Sequence, residues 1–213
     1  MTTPLLILGA TSGIGKLTME QALARGVQVR AFARSADALV EQPNLEKVAG
    51  DARKSEDVAQ ALSGAAGVII ALGIKERLSM LWQEETLFSD VTQVLLDEMP
   101  KAGVTRLIAV TGFGAGRSRS AMSAVERLGH GAFLGKVYAD KTRQEELIMA
   151  SDLNWTIARP VIINNRPASG AYKVRDSPAA WRNGIISRGD VAAYLVDAFE
   201  QSLNIRQDVV IAR

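Results

Sequence analysis

Gly9-Ala10-Thr11-Ser12-Gly13-Ile14-Gly15 follows Leu5-Leu6-Ile7-Leu8, an unbroken apolar run. It leads into Ile14, Leu17, Thr18, Ala22 and Leu23, which recur at helical spacing until Gly26. The order is therefore buried strand, glycine-rich turn, helix. Glycine permits a tight turn and lets backbone approach a ligand with no Cβ in the way. The N–H groups at the start of the helix then face outward, and the helix dipole favours an anion there. Glycines in this context, with a further strand from Val27, point to a diphosphate-binding turn. The P-loop alternative fails, because Lys16 is followed by Leu17 and not by Ser or Thr.

The alternation continues along the chain. Strands are expected at 27–33, 45–49, 68–72, 106–110, 155–158, 171–174 and 209–211. Helices are expected at 14–25, 55–62 (with Ser55 as N-cap), 88–102, 136–150 and 188–201. Unbroken apolar strands alternating with helices imply parallel pairing with both sheet faces covered. Right-handed crossovers then give an α/β, doubly wound, mostly parallel sheet. One domain over 1–213 is expected, with 160–187 as a small substrate-side extension. The Gly- and Arg-rich stretch 112–119 is expected to be a loop at the site, with Arg117 and Arg119 solvated and a contact to a flavin phosphate as the alternative. Leu128-Gly129-His130-Gly131 is also expected to be a loop.

Composition removes whole classes of chemistry. The 213 residues include no cysteine and one histidine, His130, so thiolate nucleophiles, disulfides and Cys- or His-rich metal sites are out. No metal is expected. The 25 basic and 23 acidic residues leave a formal charge of +2, with no concentrated basic patch for nucleic acid. No run approaches the ~20 apolar residues of a membrane span. Met1-Thr2-Thr3-Pro4 lacks the basic start of a secretory signal, so a cytoplasmic protein is expected. The oligomeric state is left open.

The spacing Gly-x-x-x-Gly-x-Gly resembles that of the short-chain dehydrogenase/reductase family, whose fold is the Rossmann sheet. Further stretches carry the resemblance: Gly50-Asp51-Ala52, Ala71-Leu72-Gly73, Val110-Thr111-Gly112-Phe113-Gly114-Ala115, Asp140-Lys141 with Glu145, and Leu153-Asn154-Trp155-Thr156-Ile157-Ala158-Arg159-Pro160. Together with Ser169-Gly170-Ala171-Tyr172 and Ile186-Ser187-Arg188-Gly189-Asp190 they look like the atypical branch. That branch holds NmrA-like proteins, NADH-flavin reductases and the biliverdin-IXβ reductase group. The resemblance covers nearly the whole chain and is specific for cofactor binding, not for substrate. It implies that Gly9, Thr11, Ser12, Gly13, Ile14 and Gly15 cradle the diphosphate. It also implies that Asp51 and Ala52 lie against adenine and that Ala71, Leu72 and Gly73 pass under the cofactor. Thr111, Lys141, Pro160, Val161 and Ile162 would line its nicotinamide end. Ile162 stands where the biliverdin-IXβ group carries a histidine.

An NAD-preferring fold usually carries an acid after the second strand to hold the ribose 2′-OH. Here the strand ends in Arg34-Ser35. A guanidinium there can grip a 2′-phosphate, and Ser35 can add a hydroxyl, so NADP(H) is the expected cofactor. Standard members of the resembled family use Tyr-x-x-x-Lys. If Lys141 is that lysine, Val137 takes the tyrosine position, and Tyr138 is turned by about 100° on the helix. Thr111, Lys141 and Tyr138 are the candidate catalytic residues. Ketone reduction needs a proton donor for the developing alkoxide, whereas a flavin or quinone delocalises the incoming charge. The expected function is NADPH-dependent hydride transfer to a flat acceptor such as FMN, FAD or a quinone. A non-catalytic NADP(H) sensor of NmrA-like type and a nucleotide-sugar epimerase or dehydratase are the alternatives. Trp82 and Trp181 are expected in the pocket or in the core.

Overall fold

The computed structural model describes residues 3–73 and 85–213, with backbone alone for 129–134. The first strand, β1 (Leu5–Leu8), is fully buried. Leu5 and Ile7 join one hydrophobic cluster and Leu6 and Leu8 the other, as side chains alternate across a strand. The first cluster packs under α1 (Gly13–Ala24) and α5 (Arg188–Glu200). The second packs under α2 (Ser55–Leu62), α3 (Leu87–Glu98) and α4 (Ala124–Ala150). Two helical layers thus enclose the sheet, which is why its strands read as continuous apolar runs.

Along the chain follow β2 (Val29–Ala33), β3 (Leu45–Ala49), β4 (Gly67–Ile70), β5 (Arg106–Val110), β6 (Asn154–Pro160), β7 (Ile162–Asn164), β8 (Lys173–Arg175), β9 (Ile185–Ser187) and β10 (Gln207–Ala212). The eight-stranded sheet runs β3-β2-β1-β4-β5-β6-β10-β8. Every pairing in it is parallel except that of β10 with β8. The doubly wound Rossmann-type sheet is therefore present. Strand order reverses between β1 and β4, and in such sheets ligands bind at that crevice, outside the strands' carboxyl ends.

Several expectations shift. The helix expected at 136–150 begins at Ala124. There Ser123 and Glu126 form a reciprocal capping box, with the Glu126 N–H donating to Ser123 Oγ and the Ser123 N–H to Glu126 Oε2. The backbone around His130 is consequently helical and not a loop. Trp82 and the His130 side chain lie outside the described residues. Lys54, not Ser55, holds the N-cap of α2, and the Ser55 hydroxyl donates to Glu98. The stretch 112–119 is not all loop, since Gly116–Ala121 is a 3-10 turn with Ser118 buried in it. Within 160–187, β7 pairs in parallel with β9 as a separate two-stranded sheet.

Candidate functional site

The turn between β1 and α1 lies at the strand-order reversal. Gly9 has φ +86, and a Cβ there would sit 2.6 Å from the Ala71 carbonyl oxygen and 3.3 Å from Leu72 Cα. This contact places Ala71 and Leu72, with Gly73 following, beside the glycine turn. A Cβ on Gly15 would fall on the Gly9 carbonyl oxygen and come within 2.8 Å of its carbon. These two glycines are therefore needed to let the turn fold back on α1 and on the end of β4. Gly13 differs: it has φ +58, and a Cβ would meet no protein atom within 4 Å.

Ser12 occupies the N-cap of α1 without a side-chain capping bond, and the first turn carries no acid. Ser12 and Gly13 are exposed, and Thr11 is half-buried. A helix start with outward N–H groups, a positive dipole end and free space over Gly13 fits a diphosphate. Ile14 is half-buried, packs against the core below and accepts the Thr18 hydroxyl on its carbonyl at 2.9 Å.

Arg34 and Ser35 are both exposed at the end of β2. Asp51, after β3, is held below the usual carboxylate range. The Arg53 backbone N–H is the leading cause, burial opposes it, and the charges of Arg53 and Arg34 add to it. Arg53 N donates to Asp51 Oδ1 at 3.1 Å. The charge of Arg34 thus acts on Asp51, which relates the ends of β2 and β3, and Ala52 beside Asp51 is half-buried. Arg30 takes no part. Its guanidinium binds Glu46, Ala61 O and Ser63 O.

The other end of the crevice gathers Thr111, Tyr138, Lys141 and Pro160. Lys141 Nζ donates to the Thr111 carbonyl at 2.6 Å and lies 4.8 Å from the Phe88 ring centroid and 5.8 Å from that of Tyr138. Burial pulls its pKa down to about 8, although the carboxylates of Glu145 and Asp140 act to raise it. Tyr138 lies over Gly112, where a Cβ would come within 2.7 Å of the hydroxyl. Burial first, and then the Glu145 charge, push its pKa up. That is the wrong direction for a general acid working near neutrality. The Phe113 N–H donates to the Pro160 carbonyl, which joins the end of β5 to Pro160, Val161 and Ile162. Pro160 and Val161 are buried, and Ile162 is 59% exposed beside them.

Thr111 is 3% exposed, and its hydroxyl donates to Glu145 Oε1 at 2.6 Å. It offers the site its backbone carbonyl and not its side chain. Glu145 also receives Arg159 Nε at 2.9 Å and Nη2 at 2.6 Å, and Arg159 Nη1 reaches Asp208 Oδ2 at 2.6 Å. Arg117 closes the cluster by donating to both oxygens of Asp208. Arg117 is exposed, as expected, with a side chain 58% accessible, but its guanidinium is anchored on the buried Asp208 carboxylate. Trp181 is core, with the Arg159 and Arg117 guanidinium carbons 4.9 and 5.6 Å from its ring centroid. Bonded partners in this cluster lie up to 91 positions apart in sequence, so no local spacing signals it.

Comparison with known proteins bears on the family and the fold. A family model described as NAD(P)H-binding matches residues 9–202. An uncharacterized chloroplastic protein of Arabidopsis thaliana is 28% identical over 211 residues, covering 94% of this chain and 73% of that protein. ChuY, an anaerobillin reductase from Escherichia coli O157:H7, superposes with a TM-score of 0.81 at 27% identity, covering 99% of this chain and 97% of that one. A short-chain dehydrogenase/reductase from Veillonella parvula, solved in complex with NADP, gives a TM-score of 0.82 at 18% identity. That match covers 100% of this chain and 95% of the other, and it bears on the fold alone. No described helix is long and apolar enough to cross a membrane.

Proposed function

We propose that this chain, which belongs to the NAD(P)H-binding family, is an NADPH-dependent reductase that passes hydride to a flat acceptor such as a flavin or quinone. One observation carries the choice of acceptor. At the nicotinamide end, the Thr111 hydroxyl is spent on Glu145, and the Tyr138 hydroxyl is raised in pKa and packed against Gly112. Neither is set to hand a proton to an alkoxide. A flavin or quinone needs no such donor, because its ring system spreads the charge of the incoming hydride and solvent supplies the one proton that completes the reduction.

The dinucleotide, when bound, supplies a hydride from nicotinamide C4. The chain's own residues do the holding. Gly9, Thr11, Ser12, Gly13, Ile14 and Gly15 seat the diphosphate on the N-terminus of α1. Arg34 and Ser35 take the 2′-phosphate, which gives the preference for NADPH. Asp51 and Ala52 flank adenine, and Ala71, Leu72 and Gly73 form the floor beneath. Lys141, fixed by the Thr111 carbonyl, orients the ribose. Pro160, Val161 and Ile162 flank the nicotinamide, and the 160–187 extension forms the acceptor side. ChuY is described as a reductase, which supports the same reaction class here.

The test is NADPH oxidation followed by absorbance with FMN, FAD, a naphthoquinone and a simple ketone. Turnover is expected on the flavins or the quinone and not on the ketone. Ketone reduction that is lost in Tyr138→Phe overturns the assignment of Tyr138. Tight NADPH binding with no turnover on any acceptor selects a non-catalytic sensor.

A further inference from the structure

The two-stranded sheet of β7 and β9 borders a cavity of about 360 Å³, within the size range of small-molecule sites. Its walls include Asn164, Arg166, Ser169, Ile185, Asp190 and Arg213. Asp190 brings a negative charge into it, but that carboxylate is already saturated. Its Oδ1 accepts Ser169 N and Gly170 N, and its Oδ2 accepts the Ser169 and Ser187 hydroxyls. Burial acts to raise its pKa, and these donors together outweigh burial and keep it low. The Asn164 carbonyl oxygen is likewise engaged, by the Arg166 backbone N–H, so its amide N–H groups remain to donate. Among the described residues, the guanidinium groups of Arg166 and Arg213 have no hydrogen-bond or ion-pair partner. The cavity therefore presents two free cations and an amide donor around one spent carboxylate. Such a surface is complementary to phosphate or carboxylate.

Its position relative to the nicotinamide end gives it a use. Ile162 pairs with Ile185 across the small sheet, and both are more than half exposed. Asn164 lies two residues further along β7, about 7 Å on at the usual strand rise. An apolar platform next to Pro160 thus runs directly into the cationic cavity. We infer that the acceptor is a planar molecule carrying an anionic tail. Its ring lies on the Ile162–Ile185 pair, and its phosphate or carboxylate sits between Arg166 and Arg213. This rests on the reductase reading and names the substrate class that the same site takes.

The experiment is equilibrium binding to the full chain with NADP⁺ present, using two matched pairs of acceptors. FMN against riboflavin tests phosphate; a naphthoquinone with a propionate side chain against its methyl ester tests carboxylate. The anionic member of at least one pair is expected to bind about tenfold to a hundredfold tighter. The double variant Arg166→Ala/Arg213→Ala is expected to lose that advantage while NADPH affinity and the circular dichroism spectrum stay unchanged. Arg166→Lys/Arg213→Lys, which keeps both charges, retains most of it and serves if the alanine variant folds poorly. Equal affinity within both pairs, or an advantage that survives the alanine variant, overturns the inference. If the preference is present but NADPH reduces none of the four compounds, the reductase reading fails and the anion subsite stands.

Discussion

Replacing Gly13 or Gly15 by alanine separates a ligand-binding glycine from a packing one. At Gly13 the new methyl group meets no protein atom within 4 Å, so the only internal cost is the left-handed backbone at φ +58. That costs about 1–2 kcal/mol, or a Tm fall of about 2–8 °C for a chain of this size. At Gly15 the methyl lands on the Gly9 backbone, which cannot swing aside as a side chain would. Overpacking of this kind costs about 3 kcal/mol or more, and the expected fall is at least about 6 °C. Binding orders the variants differently. The open space over Gly13 is where the diphosphate is placed, so Gly13→Ala is expected to weaken NADPH at least about tenfold, or about 1.4 kcal/mol. Thermal unfolding followed by circular dichroism, with NADPH titration calorimetry on the same samples, reads both quantities. A Gly13→Ala protein that shows the small stability loss yet binds NADPH with wild-type affinity refutes the placement of the diphosphate.

Arg34→Ala should weaken NADPH about tenfold to a hundredfold while leaving NADH unchanged; equal losses for both nucleotides would show that Arg34 does not touch the 2′-phosphate. The ammonium of Lys141, with a pKa of about 8, favours an anionic cofactor only while protonated. Wild-type kcat/KM for NADPH is therefore expected to fall as pH rises through about 8, and Lys141→Arg, which stays charged, should move that limb above pH 10. A profile unchanged by the substitution would assign the limb to another group. Arg159→Met leaves Glu145 and Asp208 buried without their shared cation, at about 3–5 kcal/mol. A Tm loss of about 6–20 °C is expected by calorimetry, and a shift under 2 °C would mean that the cluster contributes little.

Much of this molecule is written locally in its sequence. β1 announces itself because Leu5–Leu8 are buried on both faces and nothing polar interrupts them. The glycine turn is legible in part because Gly13 takes a left-handed φ and Gly15 packs on the backbone of Gly9, both local demands, whereas the demand on Gly9 comes from distant Ala71. The N-terminal half of α4 was concealed by Gly129, Gly131 and Gly135, which lower helix propensity. Its signal was Ser123-Ala124-Val125-Glu126, the sequence form of a capping box. Other features are tertiary and leave no local trace. Strands of three residues such as β7 and β9 exist through a pairing that spans some twenty residues. The commitment of Thr111 to Glu145, and of Arg159 to both Glu145 and Asp208, needs three strands and a helix already in place.

Asp140 and Lys141 are neighbours on α4 but pull on different parts of the molecule. The Asp140 carboxylate accepts the Phe88 and Ser89 N–H groups and the Ser89 hydroxyl at the first turn of α3. Lys141 holds the carboxyl end of β5. One peptide unit therefore acts as a rivet through which the axial setting of α3 and the reach of the lysine are shared. Sliding α3 by a single residue would drag the ammonium off the strand, so the two cannot drift independently.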